Sequence, residues 1–192
     1  MPKLHLSKKR LIKLLFSILI LMIGYYLSTH PSVSRRVNLA LPAGTYEVAR
    51  FDDGDTIAVK MNGREEQIRF IGVDTPETHD PRKQVQCFGH AAADYTRQQI
   101  GSQSVRLETD PLGTNRDRYD RLLRYVYLPD GRLLNSEIIR EGYGFAYTSF
   151  PFTKSAEFKA HEISARHNNR GLWADCKPIG NQYGGFTSND AQ

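Results

Sequence analysis

Three alternating runs between Tyr46 and Val73, joined by two tight turns, most constrain what this chain can fold into. Tyr46-Glu47-Val48-Ala49-Arg50-Phe51 alternates and gives way to Asp52-Asp53-Gly54-Asp55. Thr56 to Met61 forms the second run, closed by Asn62-Gly63, a dipeptide suited to a two-residue hairpin. The third runs from Glu65 to Val73. A period of two places one set of side chains on a core face and the other outside, so the three runs predict one antiparallel meander.

Beyond Cys87 the period changes. Phe88, Ala91, Ala92, Tyr95 and Gln99 share one helical face, ended by Gly101. Val105 to Thr109 and Leu122 to Leu128 return to strand, separated by a charged loop from Asp110 to Asp120. Leu134 to Arg140 and Ser155 to Arg170 predict two more helices, each stopped by a glycine. Five strands with a helix between the third and fourth imply an α+β, mainly β fold: a five-stranded closed OB-fold barrel with three appended helices.

Composition matters chiefly in where the charge lies. The net charge is +5, but no acid precedes residue 41, and that stretch holds Lys3, Lys8, Lys9, Arg10, Lys13, Arg35 and Arg36. The remainder carries slightly more acid than base, so affinity for nucleic acid has to come from a local arginine cluster rather than a global field. The basic cluster precedes an apolar run from Leu14 to Leu27. Alone that run is short for a spanning helix of roughly 17–25 residues; Leu11, Ile12, Ser28 and Thr29 extend it. It reads as an uncleaved signal anchor, or else as an export signal cleaved near Ser32-Val33-Ser34, and either places the domain outside the cytoplasm. The expected organisation is a basic and hydrophobic anchor over residues 1–29, a linker over 30–44, the domain over 45–176 and a flexible tail over 177–192. Cys87 and Cys176 have no zinc-site spacing. They form one disulfide in an oxidising compartment, worth on the order of 4–5 kcal/mol, or remain two buried thiols.

The stretch Gly72-Val73-Asp74-Thr75-Pro76-Glu77-Thr78-His79-Asp80 crowds three acids around a proline, just after an arginine in a strand, Arg69. A turn would explain it. So would a phosphate and metal site. Phosphodiester cleavage builds negative charge on phosphorus, which a bidentate arginine can meet; a hard cation can hold the attacking water, and a carboxylate can take its proton. The parts recur in three places: Asp53-Gly54-Asp55, Arg69 with Asp74-Thr75-Pro76-Glu77, and Asp117-Arg118-Tyr119-Asp120-Arg121.

Taken together and in this order, those segments resemble the staphylococcal (micrococcal) nuclease family, the thermonuclease-like domain. The similarity runs through Asn135 to Gly142 and to Trp173, covering about residues 45–175. What the resemblance implies is a sugar-nonspecific nuclease that cuts DNA and RNA and leaves 3′-phosphate ends. Asp55, Asp74 and the carbonyl of Thr75 would bind Ca2+. Glu77 would be the general base, Arg69 would hold a phosphate oxygen, and Arg121 would assist the departing 5′ oxygen. Arg118 and Tyr119 stand where the family often has lysine and tyrosine on the terminal phosphate. Asp120 replaces a common glycine and is expected to point to solvent. Tyr147, from the aromatic stretch Tyr143 to Phe152, would stack on a base or pack in the core. Pro76, with its fixed φ, would set the bend that separates Asp74 from Glu77. His79 and Asp80 read as loop. His161, Glu162 and His167 miss the spacing that puts two imidazoles on one helical face. The partners expected are DNA and RNA, with the membrane at the N-terminal segment and a monomeric catalytic domain. The alternative is a tethered nucleic-acid-binding module without catalysis.

Overall fold

The computed structural model describes residues 9, 13, 17–22, 44–78, 84–182 and 184–190. The chain divides into two compact units, Met1–Ala40 and Leu41–Gln192. In the first, residues 17–22 are helical and Ile18 to Met22 are exposed. Among the described residues no helix is long and apolar enough to cross a membrane. Much of the anticipated anchor from Leu14 to Leu27, the linker before Gly44, and His79 and Asp80 lie outside the described residues.

The second unit is built on the expected barrel. Strands β1 (Thr45–Asp53), β2 (Thr56–Met61), β3 (Arg64–Phe70), β5 (Ser104–Glu108) and β6 (Leu122–Tyr127) close in the order β1-β2-β3-β6-β5. Asn62 and Gly63 have φ of 51° and 78°, the left-handed pair that a tight hairpin between β2 and β3 demands. β3 runs parallel to β6, with Arg69 opposite Leu123. Alternation buries Ile57, Val59, Ile68, Phe70, Val105 and Val126 inside. Arg69 therefore lies on the outer side of its strand.

Helix α1 (Gly89–Ile100) follows β4, α2 (Leu134–Arg140) follows β6, and α3 (Ser155–His167) closes over them; α4 (Leu172–Asp175) is a single added turn. Ile138, Ile139 and Phe158 carry α2 and α3 into the main core. The fully buried Asn135 joins the layers. Its amide oxygen accepts from the Val126 N–H at 2.8 Å, and its nitrogen donates to the Ile71 carbonyl at 2.9 Å.

Two expectations are revised. The third strand does not run unbroken to Val73: it ends at Phe70, and Val73–Asp74 form a separate strand, β4, paired with β7 (Phe145–Ala146). The chain turns at Gly72, where φ is 71° and a Cβ would stand 2.6 Å from the Phe152 ring. The bend thus precedes Pro76. The segment after Cys176 also differs from a loose tail. Ile179–Gly180 (β8) pairs with Phe186–Thr187 (β9), and Phe186 packs edge-on to Trp173 at 5.0 Å. Its polar composition hides this order, because the segment is held largely through backbone groups and one aromatic ring.

Candidate active site

The Gly72 turn determines what Arg69 touches. By returning the chain along the outer side of β3, it brings the Val73 carbonyl to 2.5 Å from Arg69 Nη1 and Asp74 Oδ1 to 3.0 Å from Nη2. Asp55, at the start of β2, reaches the same guanidinium, with Oδ2 3.0 Å from Nη1. That carboxylate also accepts the Thr75 N–H at 2.9 Å, while its other oxygen accepts the Thr56 hydroxyl. Three sequence-distant segments are thereby tied to one arginine. Burial disfavours the charge on Arg69, but Asp55 and Asp74 outweigh it and raise the guanidinium pKa above its ordinary value.

Negative charge is in excess around this point. The Asp53 carboxyl is pushed up to about 7, first by burial and then by the neighbouring Asp55 and Glu77. It accepts the Gly54 N–H and the Thr78 hydroxyl. Sequence reading used Asp53 only as part of a turn motif; its crowding with Asp55 and Glu77 emerges only in the fold.

Glu77 follows Pro76 on an irregular segment. Its N–H donates to Gln86 Oε1 at 2.8 Å, and its carbonyl accepts the Gln86 N–H at 2.9 Å. The start of α1 packs on the same loop, since a Cβ at Gly89 would meet the Glu77 carbonyl oxygen at 2.9 Å.

Arg121 stands immediately before β6, the strand beside Arg69. It is engaged by Asp117 through Nε at 2.8 Å and Nη2 at 2.7 Å. Burial would raise the Asp117 carboxyl, but the bonds from Arg121 and from the Arg121 and Tyr119 N–H groups hold it below the usual carboxylate range. Asp117 thus orients Arg121, a role signalled in sequence by their four-residue spacing but not anticipated. Arg118 lies over the Tyr119 ring at 4.7 Å, with Arg121 at 5.3 Å, and that ring is 63% exposed. Asp120 adopts φ of 66°, the region where glycine is unstrained, and its side chain is 88% exposed.

The aromatic stretch divides. Phe145 and Phe152 are buried, while Tyr147 is 40% exposed with Phe150 at 5.9 Å. Tyr147 lines a small cleft with Asp74, Ser149, Asn181 and Phe186. Glu162 serves structure: fully enclosed on α3, it accepts the Ala146 N–H at 3.0 Å and so fixes the strand opposite Asp74. Cys87 and Cys176 are joined, with an S–S distance of 2.01 Å.

As ligands, Asp55, Asp74 and the Thr75 carbonyl supply only hard oxygen donors, which suit an alkaline-earth cation rather than zinc. Among the described residues, no three Asp, Glu, His or Cys side chains converge closely enough to hold an ion. The geometric reason is that Arg69 occupies both Asp55 and Asp74. The donor chemistry fits, and convergence requires Asp74 to exchange partners.

The comparisons agree with this arrangement. The family profile described as Staphylococcal nuclease homologue matches residues 67–175. The chain is 35% identical to the thermonuclease of Staphylococcus hyicus over 166 residues, 86% of this chain and 96% of that protein. It is 44% identical to the thermonuclease of Staphylococcus intermedius over 98 residues, spanning 51% of this chain and 56% of the relative. Endonuclease YncB of Bacillus subtilis (strain 168) is 38% identical over 124 residues, 64% of this chain and 58% of YncB. The chain thus spans nearly the whole of the first relative and somewhat over half of the other two. With the profile, the barrel and the arginine–carboxylate cluster in accord, this chain belongs to the family of staphylococcal nuclease homologues.

Proposed function

We propose that the chain is a Ca2+-dependent nuclease that hydrolyses phosphodiester bonds of DNA and RNA outside the cytoplasm and leaves 3′-phosphate ends. As a relative of thermonucleases and an endonuclease, it is a nuclease hydrolase. The supporting observation is the convergence of Asp55, Arg69 and Asp74, with Glu77 three residues beyond and Arg121 on the neighbouring strand.

Asp55, Asp74 and the Thr75 carbonyl would hold Ca2+, which supplies charge neutralisation at the phosphate and a more acidic water. Arg69 is always protonated and donates to a non-bridging oxygen, where two N–H groups strengthen as charge develops. Glu77 takes the proton of the attacking water. Arg121 stabilises the departing 5′ oxygen after exchanging Asp117 for phosphate. Arg118 and Tyr119 grip the flanking phosphate, and the exposed face of Tyr147 offers a platform for a base. The basic and apolar N-terminal segment would tether the domain to a membrane or direct its secretion, and a disulfide suits an oxidising compartment.

A binding module without catalysis is the second reading; what favours it is that both arginines are engaged by carboxylates within the protein. One assay separates the two. The purified chain should degrade single-stranded DNA and RNA with Ca2+ and stop with chelator. Glu77→Gln should lower kcat by about 10²-fold or more with the fold retained. Binding without cleavage in saturating Ca2+ selects the second reading, and full activity in excess chelator removes the metal.

A further inference from the structure

We propose that Gln86 is a positioning residue for Glu77, and that the C-terminal segment 179–190 acts as a strap that fixes Gln86. The inference rests on Glu77 being the general base. The strap lies outside the span of 67–175 that defines the family match.

A base on an irregular segment is placed by whatever holds its backbone. Gln86 holds both polar groups of Glu77, accepting its N–H at 2.8 Å through Oε1 and donating its own N–H to the Glu77 carbonyl at 2.9 Å. The other end of the same side chain is spoken for: Gln86 Nε2 donates to the Ser188 carbonyl at 3.1 Å. An oxygen facing one N–H and a nitrogen facing one carbonyl leave a single orientation for this amide. The side chain is therefore a strut between the Glu77 loop and the strap.

The strap is anchored independently. The Cys87 N–H donates to the Asn189 carbonyl at 2.8 Å, and the buried Ser188 hydroxyl donates to the Cys87 carbonyl at 2.8 Å. Gln86 and Asp190 form an antiparallel bridge. Phe186 lies against Phe145 and Trp173, with the Arg166 guanidinium 5.2 Å from its ring centroid. Cys87 is also bonded to Cys176, which begins the strap's approach. Gln86 is thus pinned through three separate contacts to a segment about a hundred residues later. Catalytic groups need placement to within about 0.5 Å, and this device supplies it to a loop that has no strand partner of its own.

The test compares the full wild-type chain with Gln86→Ala, Gln86→Glu, Phe186→Ala and Glu77→Gln. The readouts are steady-state cleavage of single-stranded DNA in Ca2+ and amide hydrogen exchange at Glu77. Gln86→Ala should lower kcat about tenfold or more with KM within about twofold, because the base and not the substrate is displaced. Its Glu77 amide should exchange at least about tenfold faster while barrel amides stay protected. Gln86→Glu keeps an acceptor at the same reach and should restore most of both properties. Phe186→Ala, which frees the strap from its apolar seat, should move both in the direction of Gln86→Ala. Unchanged exchange in Gln86→Ala overturns the strut, and unchanged kcat with faster exchange overturns its effect on the base. Loss of activity in Gln86→Glu equal to that in Gln86→Ala, or an unaffected Phe186→Ala, overturns the strap. Full activity in Glu77→Gln overturns the inference through the base assignment itself, and the exchange data distinguish that failure from a failure of Gln86.

Discussion

Replacing Arg69 by Met should destabilise the protein far more in chelator than in Ca2+. The substitution keeps the aliphatic stem and removes the charge. Arg69 and Asp55 are enclosed, with side-chain exposures of 14% and 6%, so the change strands a buried carboxylate. Removing one partner of such a pair costs about 3–5 kcal/mol. Asp55 retains the Thr75 N–H and the Thr56 hydroxyl, which places the cost near the lower end. Asp74 is 46% exposed, so solvent screens its share to at most about 0.5 kcal/mol. About 3 kcal/mol corresponds to a drop in Tm of roughly 6–12 °C for a domain of this size. Saturating Ca2+ would supply the missing positive charge and would no longer compete with Arg69 for two carboxylates. The deficit should then shrink to about 1 kcal/mol, which means that the variant gains about 2 kcal/mol more from Ca2+ than the wild type does. Thermal or urea unfolding with and without the ion measures both numbers and requires no activity. Equal deficits in chelator and in Ca2+ would show that the ion does not share the carboxylates held by Arg69.

Three further outcomes are expected. The Asp110 carboxyl, enclosed by the Tyr125 hydroxyl and the Thr153 N–H and hydroxyl, is held at about 2 against the upward pull of burial. A depressed carboxylate pKa contributes stability that is complete above about pH 5 and lost as pH falls towards 2, here on the order of 2 kcal/mol; Asp110→Asn should flatten that acid limb in pH-dependent melts, and an unchanged limb refutes the assignment. Gly89→Ala forces a Cβ within 2.9 Å of the Glu77 carbonyl, so kcat should fall severalfold while helix propensity keeps stability within about 1 kcal/mol; wild-type kcat would mean that the loop yields without consequence. Asp120→Gly relieves a positive φ and gives up only an exposed 3.5 Å contact with Arg116, so Tm should rise about 1–2 °C, and a fall would show that the acid contributes more than its exposure implies.

The barrel was legible because its strands expose one face and bury the other, and period two survives in sequence. The break at Gly72 was not: Ile71-Gly72-Val73 continues the apolar run, and only the close approach of Phe152 and Phe158 shows why the chain must turn there. The chemistry of Asp55, Arg69, Asp74, Glu77 and Arg121 could be read from residue type and order, since phosphoryl chemistry calls for carboxylates and guanidinium groups in combination. Their partners could not. Asp117 beside Arg121 was visible as an i, i+4 pair, but nothing local distinguishes it from a solvated loop. Gln86 and Ser188 meet across 102 residues, and no periodicity encodes such a contact. Gly184-Gly185 and the polar residues around them read as loose chain; the order comes from a single aromatic ring and from backbone donors elsewhere.

The site without ligand is also self-neutralised, and that has a physical consequence for how it binds. Arg69 faces Asp55 and Asp74, and Arg121 faces Asp117. Each charge is held in position by an opposite charge that binding must displace. Binding of ion and phosphate is therefore an exchange of partners rather than the capture of free charges. The exchange forfeits part of the gross Coulomb energy, since the internal pairs are lost, and keeps the buried Arg69 and Asp55 from ever standing uncompensated. In return the guanidinium and carboxylates already sit on rigid strands at their working positions, which lowers the reorganisation required as charge develops on the phosphate. Asp53, pushed towards neutrality by Asp55 and Glu77, marks the side of the cluster where the internal cation does not suffice. A divalent ion is favoured there because it brings two charges to a place where Arg69 brings one.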